Sequence, residues 1–140
     1  MIVFLDFDGV LHPFHRPDGA FSLRREFERV MRDYGEVDIV ISSTWREAHA
    51  LEELRAMFAP DIGERIIDVT PVCSCLKHEY VREAEILRWL HEAGREAEAW
   101  VAIDDTAWFF SPGCANLILV NTETGFNFAT ERELRRRLAR

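Results

Sequence analysis

Two kinds of block alternate along the chain. The segments MIVFLDF (1–7), VDIVISS (37–43), ERIIDV (64–69), AWVAI (99–103) and NLILV (116–120) are short, mostly apolar and rich in β-branched residues. That pattern predicts strands buried on both faces, as in a parallel sheet. Between them, apolar residues recur every three or four positions. Residues 22–34 put Leu23, Phe27, Val30, Met31 and Tyr34 on one stripe, with Ser22 as the expected N-cap and Gly35 as the stop. Thr44-Trp-Arg-Glu47 has the capping-box pattern and predicts a helix running to about Phe58, ended by Pro60. Residues 79–93 are helical through Ile86, Trp89, Leu90 and Ala93, with Gly94 as stop. Thr130-Glu-Arg-Glu133 is expected to cap a short, Arg-rich final helix.

Strand and helix in alternation predict an α/β fold, with a parallel sheet of about five strands flanked by helices on both faces. At 140 residues and 48% hydrophobic content, one domain spanning 1–140 is the expectation. Sheets of this kind bind ligands at the carboxyl ends of their strands. The polar residues collect there. Asp6 and Asp8 follow the first strand, Ser42, Ser43 and Thr44 the second, Asp104 and Asp105 the fourth. Residues i and i+2 of a strand point the same way, so Asp6 and Asp8 can face one pocket. Several carboxylates on one edge repel each other unless a hard cation sits among them, and an all-oxygen set suits Mg²⁺. The hydroxyls and backbone N–H groups of 42–44, at a helix N-terminus, form an anion cradle. Arg82 adds a bidentate positive partner for phosphate. Together these groups describe a site for phosphoryl transfer.

The formal charge of -8 disfavours a passive nucleic-acid or membrane binder, which would carry a basic face, but leaves room for an enzyme that handles a polynucleotide end through a local patch. Three cysteines without framework spacing predict a reducing compartment, and no segment has leader or membrane-span character, so the expected setting is soluble and cytoplasmic. Cys73, Cys75 and His78 hint at a soft metal but lack a full ligand set. Lys77 is the only lysine.

The motifs DFDGVL (6–11), IVISS (39–43) and VAIDD (101–105), in this order, resemble the haloacid dehalogenase (HAD) superfamily of Asp-dependent phosphatases. The SSTWRE stretch and the helix around EILRWL look closest to the branch associated with bacterial RNA repair. The resemblance implies a Rossmann-like core. It implies Asp6 as nucleophile and Asp8 as general acid and base. Mg²⁺ would be held by Asp6, the Asp8 carbonyl and Asp104, with Asp105 orienting a metal water or serving as the alternative ligand. Ser42 or Ser43 would donate to the phosphoryl group. A cation, Arg82 or else Lys77, would spread positive charge over the transition state. The second Asp favours phosphate esters over halides, because a halide needs no proton to leave.

The gaps between motifs leave no room for a folded cap domain. An open site suits a phosphate on a macromolecule, whether a polynucleotide end or a phosphoprotein, or a nucleotide. The loop HPFHRPDGAF (12–21) is then the expected substrate-contacting segment. His12, His15 and Arg16 could meet an anion, and Phe14, Phe21, Trp45 or Trp108 could stack on a base. The competing reading is a non-catalytic phosphate-binding module or an Asp-phosphorylated receiver on a similar sheet. It is weakened by the position of Asp68 inside strand three and by the missing lysine after strand five.

Overall fold

The computed structural model describes residues 1–73 and 80–139. Its centre is a parallel sheet of β1 (Ile2–Leu5), β2 (Asp38–Ile41), β3 (Ile66–Val69), β4 (Trp100–Asp104) and β5 (Leu117–Leu119), in the order β3-β2-β1-β4-β5. All four residues of β1 are fully buried, as a strand covered on both faces requires. One face packs Val3, Leu5, Ile39, Ile41 and Ile103 against α1 (Arg24–Asp33) and α5 (Phe128–Leu138), through Phe27, Val30, Met31 and Leu134. The other packs Ile2, Phe4, Val40 and Ala102 against Ile86, Trp89 and Leu90 of α4 (Val81–Glu92).

The expected α/β class and strand count hold, while several helix ends differ. The segment after β2 is not one helix to Phe58. It is a 3₁₀ turn, Thr44–Glu47, followed by the short helices α2 (Leu51–Ala56) and α3 (Pro60–Gly63). Ser43 rather than Thr44 caps the turn, accepting from the Trp45 N–H at 3.3 Å. The Arg46 guanidinium donates to the carbonyls of Ser42, Ser43, Thr70 and Pro71, so the carbonyls of Ser42 and Ser43 are held by a side chain at the point where the turn begins. Pro60 opens α3 as its first residue, where its missing N–H costs nothing. Ser22 does not cap α1, whose N-cap position is Leu23. Asn127 caps α5, accepting from the Thr130 N–H at 3.0 Å.

Between β1 and α1 there is only a loop with turns, and between β2 and β4 the described residues form α2, α3, β3 and α4. No cap domain is present among the described residues.

Candidate active site

The direction of strand order reverses between β1 and β4, and a crevice forms outside the carboxyl ends of the strands at such a point. Asp6 and Asp104 flank this one. The ladder continues past the formal strand ends: the Asp6 N–H donates to the Ile103 carbonyl at 3.1 Å and the Ser42 N–H to the Leu5 carbonyl at 3.0 Å. With Leu5 paired to Ile41 and Ile103, Asp6, Ser42 and Asp104 stand level on three adjacent strands. They share the parity of Phe4, Val40 and Ala102, and so the face covered by α4, which carries Arg82. Ser43 has the opposite parity and is occupied as the cap of the 3₁₀ turn.

Single oxygens of Asp6, Asp104 and Asp105 lie within 4.8 Å of one another. Asp6 and Asp104 are buried. Burial raises the Asp6 pKa well above the ordinary carboxylate value, and repulsion from Asp104 and Asp105 adds to it, with Arg82 opposing. Burial likewise pushes Asp104 up to about 7, against the lowering effect of the Thr106 N–H and Arg82. Asp104 Oδ1 accepts from the Thr106 N–H at 2.9 Å, while its buried Oδ2 has no hydrogen-bond partner among the described residues. Three hard oxygen donors, two of them buried at a high cost in charge and one orphaned, fit a divalent cation.

Gly9 makes the cluster possible. Its φ is +75°, and a Cβ there would lie 2.1 Å from Asp105 Oδ2 and 2.8 Å from Thr122 Oγ1. Gly9→Ala is therefore expected to displace Asp105 and to lower the melting temperature by several degrees. Calorimetric Mg²⁺ titration of the variant should show at least about tenfold weaker binding than wild type. Unchanged affinity would remove Asp105 from the metal set.

Arg82 is buried beside the cluster, its Nε 3.8 Å from Asp104 Oδ2, too far for a hydrogen bond. Its Nη1 pairs with Glu85 at 2.8 Å, and the other Glu85 oxygen pairs with Arg46 Nη2 at 2.8 Å. The guanidinium also lies over the Phe109 ring, 5.3 Å from its centroid. Two arginines thus share one buried carboxylate, and Arg82 is held from below with its Nε facing Asp104. Sequence reasoning missed Arg46 and Glu85 as members of the site. The i,i+3 spacing of Arg82 and Glu85 was a signal, but Arg46 reaches them only through the fold. Lys77 lies outside the described residues, as do Cys75 and His78. Cys73 is a free thiol.

Asp8 is not in the acidic cluster. Its Oδ1 accepts from His12 Nε2 at 2.8 Å and Arg16 Nη2 at 2.9 Å, and its Oδ2 from Trp45 Nε1 at 2.9 Å. Partial burial would raise its pKa, but these three hydrogen bonds outweigh that and carry it below the usual value. His12 is fully buried and turned inward, not towards an anion in solvent. Trp45 is packed rather than open for stacking. Phe7 and Phe21 meet it at an angle, His49 stacks on it at 5.4 Å and Arg16 lies over its ring. His15 meets the Phe14 ring at 5.4 Å. Phe21 packs on Phe7. Phe14 and Trp108 are the exposed aromatics of these loops. A cleft of about 270 Å³ opens beside Asp8, lined by Thr44, Trp45, Ala48 and His49. A larger hollow of about 620 Å³, lined by residues of α2, α3 and Phe58, shares no residue with the acidic cluster.

Acids at the ends of β1 and β4, a hydroxyl level with them on β2 and a buried cation from α4 sit on a Rossmann-like core of the HAD type. The family described as the HAD domain in Swiss Army Knife RNA repair proteins matches residues 2–130, and the chain belongs to it. No curated protein and no solved structure matches the chain. Membership points to phosphatase-type chemistry, and the family typically uses a divalent metal. Among the described residues, no helix is long and apolar enough to cross a membrane.

Proposed function

We propose that this chain is a Mg²⁺-dependent phosphomonoesterase working through an aspartyl-phosphate. The observation that carries this reading is the convergence of Asp6, Asp104 and Asp105 within 4.8 Å, with Arg82 buried beside them. Asp6, Asp104 and Asp105, with the Asp8 carbonyl, would hold the cation. When bound, it neutralises the repulsion between a carboxylate nucleophile and a phosphate dianion.

An Asp6 oxygen attacks phosphorus, and the bond from phosphorus to the ester oxygen breaks. Asp8 gives its proton to that departing oxygen. Asp8 is ionised in the free protein; the entering dianion raises its proton affinity, and it takes that proton from solvent as the substrate binds. Water then attacks the phosphorus of the aspartyl-phosphate, its proton passes to Asp8, and the bond to Asp6 breaks. Ser42, level with Asp6, donates to a phosphoryl oxygen. Arg82 spreads positive charge over the transition state.

The open crevice suits a phosphate carried on a large molecule, and the family description favours a polynucleotide end over a phosphoprotein or a free nucleotide. The chain's setting is proposed as cytoplasmic. The strand order argues against the receiver alternative, since receivers are built on the order 2-1-3-4-5. Asp68 lies within β3 and accepts from Trp89 Nε1 at 2.8 Å, a structural role.

The test is hydrolysis of p-nitrophenyl phosphate with and without Mg²⁺, by wild type and Arg82→Ala. Turnover should need the metal and fall about 10²-fold in the variant, with Arg82→Lys recovering part of it. If wild type binds Mg²⁺ but turns over neither this substrate nor 5′- or 3′-phosphorylated oligonucleotides, the reading fails.

A further inference from the structure

We propose that His12 is a positioning residue that aims the Asp8 carboxylate, and that the loop 12–21 exists in part to hold His12 in the form that does so. The proposal rests on the phosphatase reading for the role of Asp8, but its structural half is independent of it.

Both ring nitrogens of His12 are committed. The Phe21 N–H donates to Nδ1 at 3.1 Å, so Nδ1 carries no proton. The proton of the neutral ring is then on Nε2, which donates to Asp8 Oδ1 at 2.8 Å. His12 is therefore a neutral donor rather than half of an ion pair. It cannot relay a proton through Nδ1 without breaking the bond to the Phe21 amide. What it can do is fix a direction. Its ring is fully buried, with the Phe21 ring edge-on at 5.6 Å and Trp45 tilted at 6.4 Å. Trp45 secures the second Asp8 oxygen, so the carboxylate is held at both ends by two packed aromatic donors.

The backbone supports the same assignment. Arg16 and Phe21 are the two non-glycine residues with positive φ among the described residues, at 49° and 61°. Left-handed backbone at a bulky residue is strained and persists where surrounding structure imposes it. Both serve the same carboxylate, Arg16 by its side chain and Phe21 by the amide that fixes His12. The loop is tied down between them and the sheet by the Phe14 N–H, which donates to the Thr122 carbonyl at 2.9 Å. Arg16 is 41% exposed at its side chain and can leave Asp8 for an incoming anion without moving His12.

Nitrogen NMR of the full chain labelled with ¹⁵N-histidine tests the geometry, and kinetics of His12→Phe and His12→Gln test its purpose. The His12 signal, assigned by its loss in His12→Gln, is expected to show a neutral ring protonated on Nε2. A ring protonated on Nδ1 would overturn the proposal. Phenylalanine keeps the aromatic packing but removes both hydrogen bonds. Glutamine can accept from the Phe21 amide and donate to Asp8 with one amide group. With phenyl phosphate, whose leaving group needs a proton, His12→Phe should lower kcat about 10²-fold with little change in KM. The loss should be smaller with p-nitrophenyl phosphate, and His12→Gln should recover most of it. Equal losses on both substrates, or equal losses in the two variants, would mean a merely structural histidine. An inactive wild type whose His12 is protonated on Nε2 would refute the phosphatase reading and still support the aiming of Asp8. A catalytically competent protein with the other tautomer would do the reverse.

Discussion

Asp6→Asn is expected to abolish turnover, lowering kcat by at least about 10³-fold, while leaving the fold intact or more stable. The activity loss follows from the nucleophile. An amide oxygen does not form the acyl phosphate, and no other carboxylate occupies that place in the crevice. The stability expectation follows from electrostatics. Asp6 is buried, and its charged form is opposed by burial and by the charges of Asp104 and Asp105. Asparagine removes that opposition in the metal-free protein at nearly the same volume. Thermal melts in EDTA beside the kinetic assay distinguish a chemical defect from unfolding. A variant that retains a tenth of wild-type activity would rule out Asp6 as nucleophile.

Asp104→Asn should be the second largest change, abolishing the response to Mg²⁺ in both activity and stability. The folded-state pKa of Asp104 is about 7 and that of Asp6 is also raised, whereas an unfolded chain has its aspartates near 3.8. Between about pH 4 and pH 7 the folded metal-free protein therefore binds more protons than the unfolded chain, and it loses stability as pH rises. Below that window both states are protonated and the effect vanishes. The ion-paired Glu98 and Glu133, lowered to about 2 from 4.5, add stability as pH rises through the unfolded value, a gain largely complete by about pH 5, so the range above pH 5 reports the cluster. In EDTA the melting temperature is expected to fall by on the order of 5 °C from about pH 5 to pH 8. Mg²⁺ needs the deprotonated carboxylates, so it should restore stability at pH 8 and do little at pH 5. Asp104→Asn should abolish the Mg²⁺ response and reduce the pH dependence to the share that buried Asp6 contributes. A wild-type melting temperature in EDTA that rises with pH, unaffected by Mg²⁺ at pH 8, would contradict the assignment of the acidic cluster.

The sheet and its reactive edge were legible in the sequence because a parallel strand buried on both faces leaves an unambiguous signature. IVFL, IVI and VAI are apolar at every position, and the acids and serines stand just beyond them. What could not be read was whatever depends on contacts between distant segments. Ladder register stands Ser42 level with Asp6, and Ser43 accepts from the Trp45 N–H as the cap, neither of which the two adjacent serines reveal in sequence. The helix expected after Thr44 is broken, with Arg46 bonding carbonyls as far along the chain as Thr70 and Pro71. The i,i+4 spacing of Asp8 and His12 was visible, but the inward turn of the imidazole is imposed by Phe21, nine residues on. Asp8 itself was expected to face the same pocket as Asp6. The left-handed turn at Gly9 follows it, and three donors take its side chain out of the cluster. His12 and Arg16, loop residues expected to meet an anion, hold the Asp8 carboxylate.

The central claim is that Asp6 carries the phosphoryl group, and trapping that group tests it most directly. Wild-type protein with Mg²⁺ would be mixed with a phosphomonoester it turns over, quenched in the first turnover, reduced with borohydride and mapped by mass spectrometry. Conversion of Asp6 to homoserine is expected in the peptide that carries it, absent without substrate and absent in Asp6→Asn. Turnover that leaves Asp6 unreduced, or that marks Asp8, Asp104 or Asp105 instead, would contradict it.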